Sequence, residues 1–146
     1  MDTKEIISRL PYTKPFLFVD EIRHIDNDGV EGCYTFDETA DFYKGHFKDH
    51  PVTPGVILTE VMAQIGLVCL GIYLLDDTLN SDATIALTST DIEFLKPVFP
   101  NEKVVVISEK NYFRFGKLKC TVVMKNANGE NIASGTIAGI ITSKKQ

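Results

Sequence analysis

Residues 53–75 read TPGVILTEVMAQIGLVCLGIYLL, and this stretch decides the fold. Its apolar side chains recur on almost every face of a helix, so the helix has to be buried on nearly all sides. Thr53 is placed to cap the helix, and Pro54 suits its first position, where a backbone N–H has no partner in any case. At its usual rise the helix would be about 30 Å long. A membrane span is the alternative, but Glu60 and Gln64 lie inside the stretch, and an ionisable group is costly in lipid. We therefore expect no membrane association.

The remainder of the chain reads mainly as strands. A capping pattern at Asp2 or Thr3 predicts a short opening helix. Apolar alternation and turn residues predict strands over residues 16–25, 30–36, 83–94, 103–113, 118–125 and 131–142, with an irregular loop over 37–53. The run Val104–Ile107 predicts a strand that is buried on both faces. These elements indicate an α+β fold in which a curled antiparallel sheet wraps around one long central helix. We expect residues 1–146 to form a single domain.

Composition excludes several classes of function. The chain has 146 residues, a net charge of −5 and a pI near 5.1, which argues against general nucleic-acid binding. Cys33, Cys69 and Cys120 lie far apart and form no CxxC pair, so they predict small apolar side chains in a reducing cytoplasm. The first residues, MDTKEIISRL, contain no long apolar run and are unlike a signal peptide. His46 and His50 have a metal-like spacing, but no clear third ligand lies nearby, and we expect no metal.

The chemistry is concentrated in residues 45–64, GHFKDHPVTPGVILTEVMAQ. His46 lies in a loop before the helix, and an imidazole can take or give a proton near neutral pH. Glu60 lies among apolar residues, so its carboxyl should be desolvated and its pKa raised. Gln64 is one helical turn further and shares a face with Glu60, so its amide can hydrogen-bond the carboxyl or a bound water. At the helix start, the N–H of Gly55 is an unpaired donor at the positive end of the helix dipole.

These parts match the loss of water from a β-hydroxyacyl thioester. A neutral imidazole suits removal of the α-proton, a protonated carboxyl suits protonation of the leaving hydroxyl, and backbone donors suit the thioester oxygen. Two alternatives use the same features. One is an acyl thioesterase in which Glu60 activates water, and the other is a non-catalytic acyl-binding subunit.

The segment resembles the β-hydroxyacyl-acyl carrier protein dehydratases of the FabZ type, which have the hotdog fold. That family reads L-P-H-R-x-P-F-L-x-V-D, then G-H-F-P-G-x-P-x-x-P-G-V-x-x-x-E-x-x-A-Q, then K-F-R-x-P-V-x-P-G-D. The central pattern is retained at Gly45, His46, Phe47, Pro51, Pro54, Gly55, Val56, Glu60, Ala63 and Gln64. The flanking patterns match at Leu10-Pro11, Pro15-Phe16-Leu17, Val19-Asp20 and residues 93–102. Two pairs depart from the pattern: Lys48-Asp49 replaces Pro-Gly, and Tyr12-Thr13 replaces His-Arg. These departures favour a specialised pathway, such as polyene or polyketide-like chain synthesis, as an alternative to housekeeping fatty acid synthesis.

The resemblance implies roles for individual residues. His46 would be the α-proton base, and Glu60 of the partner subunit would be the acid for the leaving hydroxyl. The backbone N–H of Gly55 would bind the thioester carbonyl, and Phe47, Val56 and Gln64 would line the substrate site.

The resemblance also implies a partner and an assembly. The substrate would arrive on an acyl carrier protein, whose phosphopantetheine arm belongs to the substrate, so no cofactor is expected. The chain would form a homodimer, with a trimer of dimers as the larger assembly. Because carrier proteins are acidic, the candidates for docking are basic residues: Lys44, Lys48, Lys96, Arg114, Lys117 and Lys119.

Overall fold

The structure is a computed structural model that describes residues 1–75 and 83–143. The helices are α1 (Thr3–Arg9) and α2 (Gly55–Leu75), and a 3-10 turn lies at Asp41–Lys44. The strands are β1 (Glu21–Asp26), β2 (Gly29–Thr35), β3 (Ala83–Phe94), β4 (Lys103–Arg114), β5 (Lys117–Asn126) and β6 (Asn131–Ser143). They form one six-stranded antiparallel sheet in the order β1-β2-β4-β5-β6-β3, against which α2 packs. The predicted α+β architecture is confirmed.

One face of the sheet covers α2, and the alternation of side chains along β5 shows how. Leu118, Cys120, Val122 and Met124 are buried at every second position, which is the period of a strand with one covered face. In β4 the prediction of burial on both faces is wrong. Val104 and Val106 are buried, but Ile107 is 38% exposed. The second face of the sheet is therefore open in the single chain.

The predicted strand over residues 16–25 is too long at its start, because β1 begins only at Glu21. The backbone groups of the apolar residues before β1 form hydrogen bonds with a side chain of the helix. The N–H of Phe18 donates to the side-chain oxygen of Gln64 at 2.8 Å, and the carbonyl of Phe16 accepts from the Gln64 amide at 2.9 Å. Phe16 and Phe18 are thus bonded to the helix, and pairing with β2 begins only at Asp20, whose N–H donates to the Cys33 carbonyl at 2.9 Å.

Helix α2 contains an irregularity that the sequence did not predict. Residues Gln64–Cys69 form a π-helical segment, and all six are buried. The hydroxyl of Ser108 on β4 donates to the carbonyl of Gly66 at 2.8 Å. A Cβ on Gly66 would lie 3.2 Å from both the Ser108 Cβ and a Val122 methyl group. The sheet therefore approaches the helix so closely that a side chain at position 66 would be crowded.

Burial also explains the apolar composition of α2. The helix is long and apolar enough to cross a membrane by length and composition, yet 72% of its most apolar window is buried inside the protein. It is the core helix of the fold. The three cysteines, Cys33, Cys69 and Cys120, are free and buried, as expected for small apolar side chains.

We predict that Ser108→Ala lowers the free energy of unfolding by about 1–2 kcal/mol, because it removes a buried hydrogen bond and leaves the Gly66 carbonyl without its side-chain donor. Urea denaturation followed by circular dichroism measures the change. Ser8→Ala, on the exposed face of α1, is the matched control and should change stability by about 0.5 kcal/mol or less. Equal effects from the two substitutions would contradict the role assigned to Ser108.

Candidate active site

The loop that carries His46 fixes the protonation pattern of its ring. The backbone N–H of His46 donates to the Phe42 carbonyl at 3.0 Å, and the Val52 N–H donates to the His46 carbonyl at 2.9 Å. The ring Nδ1 lies 2.8 Å from the Val52 carbonyl oxygen. Because a carbonyl can only accept, Nδ1 carries the hydrogen, and in the neutral ring Nε2 holds the free lone pair. The ring is therefore prepared to accept a proton at Nε2.

The loop after His46 forms a tight turn although its sequence departs from the family pattern. The His46–Phe47 peptide bond is cis, and the two rings stack with centroids 3.9 Å apart. Phe47 and His50 exchange backbone hydrogen bonds of 2.8 and 2.9 Å, which closes a tight turn. Within it, Asp49 has φ +59°, a left-handed conformation that glycine adopts freely and aspartate tolerates. Asp49 thus supplies the conformation at the position where the family pattern has glycine.

Glu60 is half-buried, and its partner is the amide predicted for it. Gln64 Nε2 donates to Glu60 Oε2 at 2.9 Å. Burial raises the pKa of the Glu60 carboxyl, and the hydrogen bond from Gln64 lowers it by a smaller amount. The predicted direction of the pKa shift is confirmed. A carboxyl in this state holds its proton to a higher pH than an exposed glutamate does.

Tyr12 joins this cluster, although the sequence singled it out only as a departure from the family pattern. Its ring is half-buried and lies 6.2 Å from the ring of Phe16, whose carbonyl accepts from Gln64. Burial raises the pKa of Tyr12 to about 12, and the nearby Glu60 carboxylate adds to the shift. The phenol is therefore a neutral polar group on the Glu60 side of the helix. The signal that could have found it was its substitution for the family's histidine.

The start of α2 differs in detail from the prediction, and the difference matters for binding. Pro54 is the N-cap residue and Gly55 the first helical residue, with no side-chain cap. The predicted cap, Thr53, is buried, and its hydroxyl lies 2.6 Å from that of Tyr43. Because no side chain caps the helix, its first backbone N–H groups remain unpaired. Among residues 1–75 and 83–143, the N–H groups of Gly55 and Val56 have no backbone acceptor.

A cavity of about 310 Å³ opens at these amides. Gly55, Leu58, Phe94 and Lys96 line it. A Cβ on Gly55 would lie 3.3 Å from the edge of the Phe94 ring, so the absence of a side chain keeps this approach open. The positive end of a helix dipole beside a cavity can stabilise an oxygen that gains negative charge.

No hydrogen bond or ion pair joins His46 to Glu60 in the described chain. The His46 ring contacts the Val52 carbonyl and the Phe47 ring, and Glu60 accepts its hydrogen bond from Gln64. Val56, predicted to line the substrate site, is 77% exposed, and Phe47 is 54% exposed. In the described part of the chain no three His, Cys, Asp or Glu side chains converge as metal ligands would.

The predicted docking residues separate into two groups. Lys44 forms an ion pair with Asp41 at 3.2 Å, and Lys96 forms one with Glu130. The remaining four form no ion pair in residues 1–75 and 83–143: Lys48, Arg114, Lys117 and Lys119. Arg114, Lys117 and Lys119 lie on the β4–β5 hairpin, and Lys48 lies in the loop after His46.

Comparisons with known proteins identify the family of the chain. Residues 10–138 match the family described as FabA-like domain. The 3-hydroxyacyl-[acyl-carrier-protein] dehydratase FabZ of Sinorhizobium fredii is 32% identical, over 99% of this chain and 92% of its own length. The protein of the same name from Thermus thermophilus is 30% identical, over 97% of each chain.

Solved structures share the fold at low sequence identity. The dehydratase heterocomplex ApeI:P of Xenorhabdus doucetiae aligns with a TM-score of 0.80 and 12% identity, over 96% of this chain and 92% of that one. A mutant thioesterase of Pseudomonas aeruginosa aligns with a TM-score of 0.68, also at 12% identity, over 98% and 95% of the two chains. From the matched family, the FabZ relatives and the shared fold together, the chain belongs to the FabA-like domain family as a hotdog dehydratase of the FabZ type.

Proposed function

We propose that this protein removes water from 3-hydroxyacyl groups on an acyl carrier protein and yields the trans-2-enoyl thioester. The observation that carries the proposal is the hydrogen bond from His46 Nδ1 to the Val52 carbonyl, which leaves Nε2 free as the base. The activity for which the FabZ relatives are named supports the substrate class.

The proposed reaction uses three groups. Nε2 of His46 takes the α-proton, and the electron pair of that C–H bond becomes the new Cα=Cβ bond. The β C–O bond breaks, and its oxygen takes the proton of the Glu60 carboxyl and leaves as water. The Gly55 N–H donates to the thioester oxygen while it carries negative charge. Proton transfer from the imidazolium back to the carboxylate, through solvent, restores both groups.

The site would be completed by a second copy of the chain. In the described chain no hydrogen bond joins His46 to Glu60, which supports a site shared between subunits. Strand β3 is at one edge of the sheet, and residues 86–91 are exposed throughout. An edge strand of this length is normally covered, and antiparallel pairing with the same strand of a second copy would cover it. Such a homodimer would also bury the exposed Val56 and Phe47; assembly into a trimer of dimers is compatible with it.

The proposal also covers how the substrate reaches the enzyme and in which compartment the enzyme acts. The carrier protein would bring the acyl group on its own phosphopantetheine arm, so the enzyme itself would need no cofactor. Reduced, buried cysteines fit a cytoplasmic enzyme. The thioesterase alternative is kept because proteins named as thioesterases share the fold. A 3-hydroxyacyl thioester distinguishes the two reactions: enoyl absorbance without free thiol supports dehydration, and free thiol alone rejects it.

We expect His46→Ala and Glu60→Ala each to lower kcat by about 10²-fold or more, because each removes a proton-transfer group. Enoyl formation measured by absorbance tests this. His24→Ala is the matched control, since His24 is exposed and its ring contacts Asp26. Normal turnover by both site variants would support the non-catalytic alternative.

Mixing the two inactive variants tests whether the site is shared. If His46 of one subunit works with Glu60 of the other, random dimers of His46→Ala and Glu60→Ala should regain about a quarter of wild-type activity, since half are mixed and each has one intact site. Subunits are exchanged by unfolding and refolding the mixture. Absence of any recovery, with mixed dimers demonstrated by mass spectrometry, would contradict a shared site.

Removal of the Gln64 amide should change the pH profile. The hydrogen bond from Gln64 lowers the Glu60 pKa, so Gln64→Leu should raise it further. Because Glu60 acts in its protonated form, activity is lost as pH rises through that pKa, and the alkaline limb of kcat/KM should move to higher pH. Thr59→Ala is the control, because the Thr59 hydroxyl donates to the Gly55 carbonyl and not to Glu60. This variant should leave the alkaline limb of kcat/KM at the wild-type pH. A limb that stays in place or moves to lower pH in Gln64→Leu would contradict Glu60 as the acid.

A further inference from the structure

Two buried hydroxyl groups pair beside the candidate active site, although neither belongs to the proposed reaction. The side-chain oxygens of Tyr43 and Thr53 lie 2.6 Å apart, and the two residues are only 6% and 4% exposed. Burial raises the pKa of the Tyr43 phenol, and the hydrogen bond with Thr53 lowers it by a smaller amount. Tyr43 therefore keeps its hydrogen at neutral pH and lies too deep to touch a substrate. Any effect of Tyr43 on the reaction has to pass through its neighbour.

That neighbour is placed to interfere with the helix start. Thr53 lies two residues before Gly55, and a threonine hydroxyl commonly accepts a hydrogen bond from an N–H two or three residues further along the chain. In the described ranges, the N–H groups of Gly55 and Val56 have neither a backbone acceptor nor a side-chain cap. A free Thr53 hydroxyl would therefore compete for the same donors that the proposed reaction needs.

The hydrogen bond with Tyr43 removes this competitor. A threonine side chain has few χ1 rotamers because it is branched at Cβ, so one strong contact is enough to select among them. The selected rotamer points the hydroxyl at Tyr43, and the Thr53 side chain does not cap α2 in the described chain. The sequence alone predicted the opposite, with Thr53 as the cap of the helix. The phenol on the 3-10 turn is what separates the two outcomes.

The backbone at Thr53 is held independently of Tyr43. The Thr53 N–H donates to the Val98 carbonyl at 2.8 Å, and the N–H of Val52 donates to the His46 carbonyl at 2.9 Å. Thr53 is also among the residues that line the cavity at the start of α2. Loss of the phenol would therefore release the Thr53 hydroxyl into available space without releasing the chain.

We propose that Tyr43 is a positioning residue: it holds the Thr53 hydroxyl away from the start of α2 and so keeps the first backbone N–H groups free for the thioester oxygen. This inference rests on the proposed function for the identity of that oxygen. An N–H group that already donates to a hydroxyl must break that bond before it can donate to the substrate, and this cost falls at the moment of reaction. Free donors avoid the cost, so the phenol contributes to turnover without touching the reacting atoms.

A purely structural role is the competing explanation, and it makes the opposite prediction for the two residues. If the pair only stabilised the loop, removing either hydroxyl would impair the enzyme, and removing both would be no better than removing one. If Tyr43 instead restrains a competing hydroxyl, only the loss of the phenol is harmful, and the further loss of the Thr53 hydroxyl repairs it. Valine keeps the shape of threonine without its hydroxyl, and phenylalanine does the same for tyrosine.

The test compares Tyr43→Phe, Thr53→Val and the double variant on a 3-hydroxyacyl N-acetylcysteamine thioester. Tyr43→Phe should lower kcat about tenfold or more with little change in KM, because the lost donors act most strongly on the charge of the transition state. Thr53→Val should stay within about threefold of the wild-type kcat, and the double variant should return to that range. Tyr112→Phe, near the end of β4, is the matched control and should leave kcat unchanged. Urea unfolding verifies that each variant is folded.

Hydrogen exchange at the Gly55 amide, followed by NMR, keeps the test independent of catalysis. The unpaired N–H should exchange rapidly in wild type, about tenfold more slowly in Tyr43→Phe, and rapidly again in the double variant. Unchanged exchange or unchanged kcat in Tyr43→Phe would overturn the proposal. So would a double variant that turns over as slowly as Tyr43→Phe. If wild type does not dehydrate the thioester, the proposed function fails, while amide exchange still decides whether Tyr43 restrains the Thr53 hydroxyl.

Discussion

The side-chain amide of Gln64 is the contact on which the arrangement of the site depends. Gln64 is fully buried, and its amide uses both of its ends. Its oxygen accepts from Phe18 N–H, and its nitrogen donates to the Phe16 carbonyl and to Glu60. A buried amide of this kind is expensive unless it is satisfied, so the three contacts hold one another in place. The result is that a single residue fixes the segment before β1, the helix and the carboxyl.

At the start of α2 the situation is the opposite, because the first backbone N–H groups have no hydrogen-bond acceptor in the described part of the chain. A threonine cap would have used one amide, but the Thr53 hydroxyl is paired with Tyr43. Pro54 offers no side-chain oxygen, and Gly55 has no side chain to fill the space beside Phe94. The fold thus combines a helix end with unpaired amides and a histidine loop held by its own backbone. Both features are ready before any substrate binds, which lowers the cost of reorganisation during reaction.

Several features of the single chain would be explained by a second copy. In the described chain no hydrogen bond joins the proposed base to the proposed acid, the sheet has an exposed edge strand, and Val56 and Phe47 are exposed. The basic hairpin lies at the other end of β3 from the helix start. These separate observations have one physical explanation if two copies pair through β3. Antiparallel pairing would cover the exposed edge and would place the hairpin of one subunit on the side of its partner's helix start.

The sequence by itself determined the strands whose side chains alternate and the helix that is apolar all round. The prediction for residues 83–94 matches β3, and those for the last three strands differ from β4, β5 and β6 by a residue at their ends. It also predicted the Glu60–Gln64 pair and the direction of the Glu60 pKa shift, since both follow from spacing and burial along one helix.

Tertiary structure alone decided the features that need a partner from elsewhere in the chain. Residues 16–20 have the composition of a strand, yet the Phe16 carbonyl and the Phe18 N–H pair with the Gln64 side chain, which lies more than 40 positions away. The π-helical segment depends on the close approach of β4 at Gly66, and the tautomer of His46 depends on the Val52 carbonyl. Local patterns encode periodicity and burial, whereas a hydrogen bond between distant residues is settled only when the folded chain brings its donor and acceptor together.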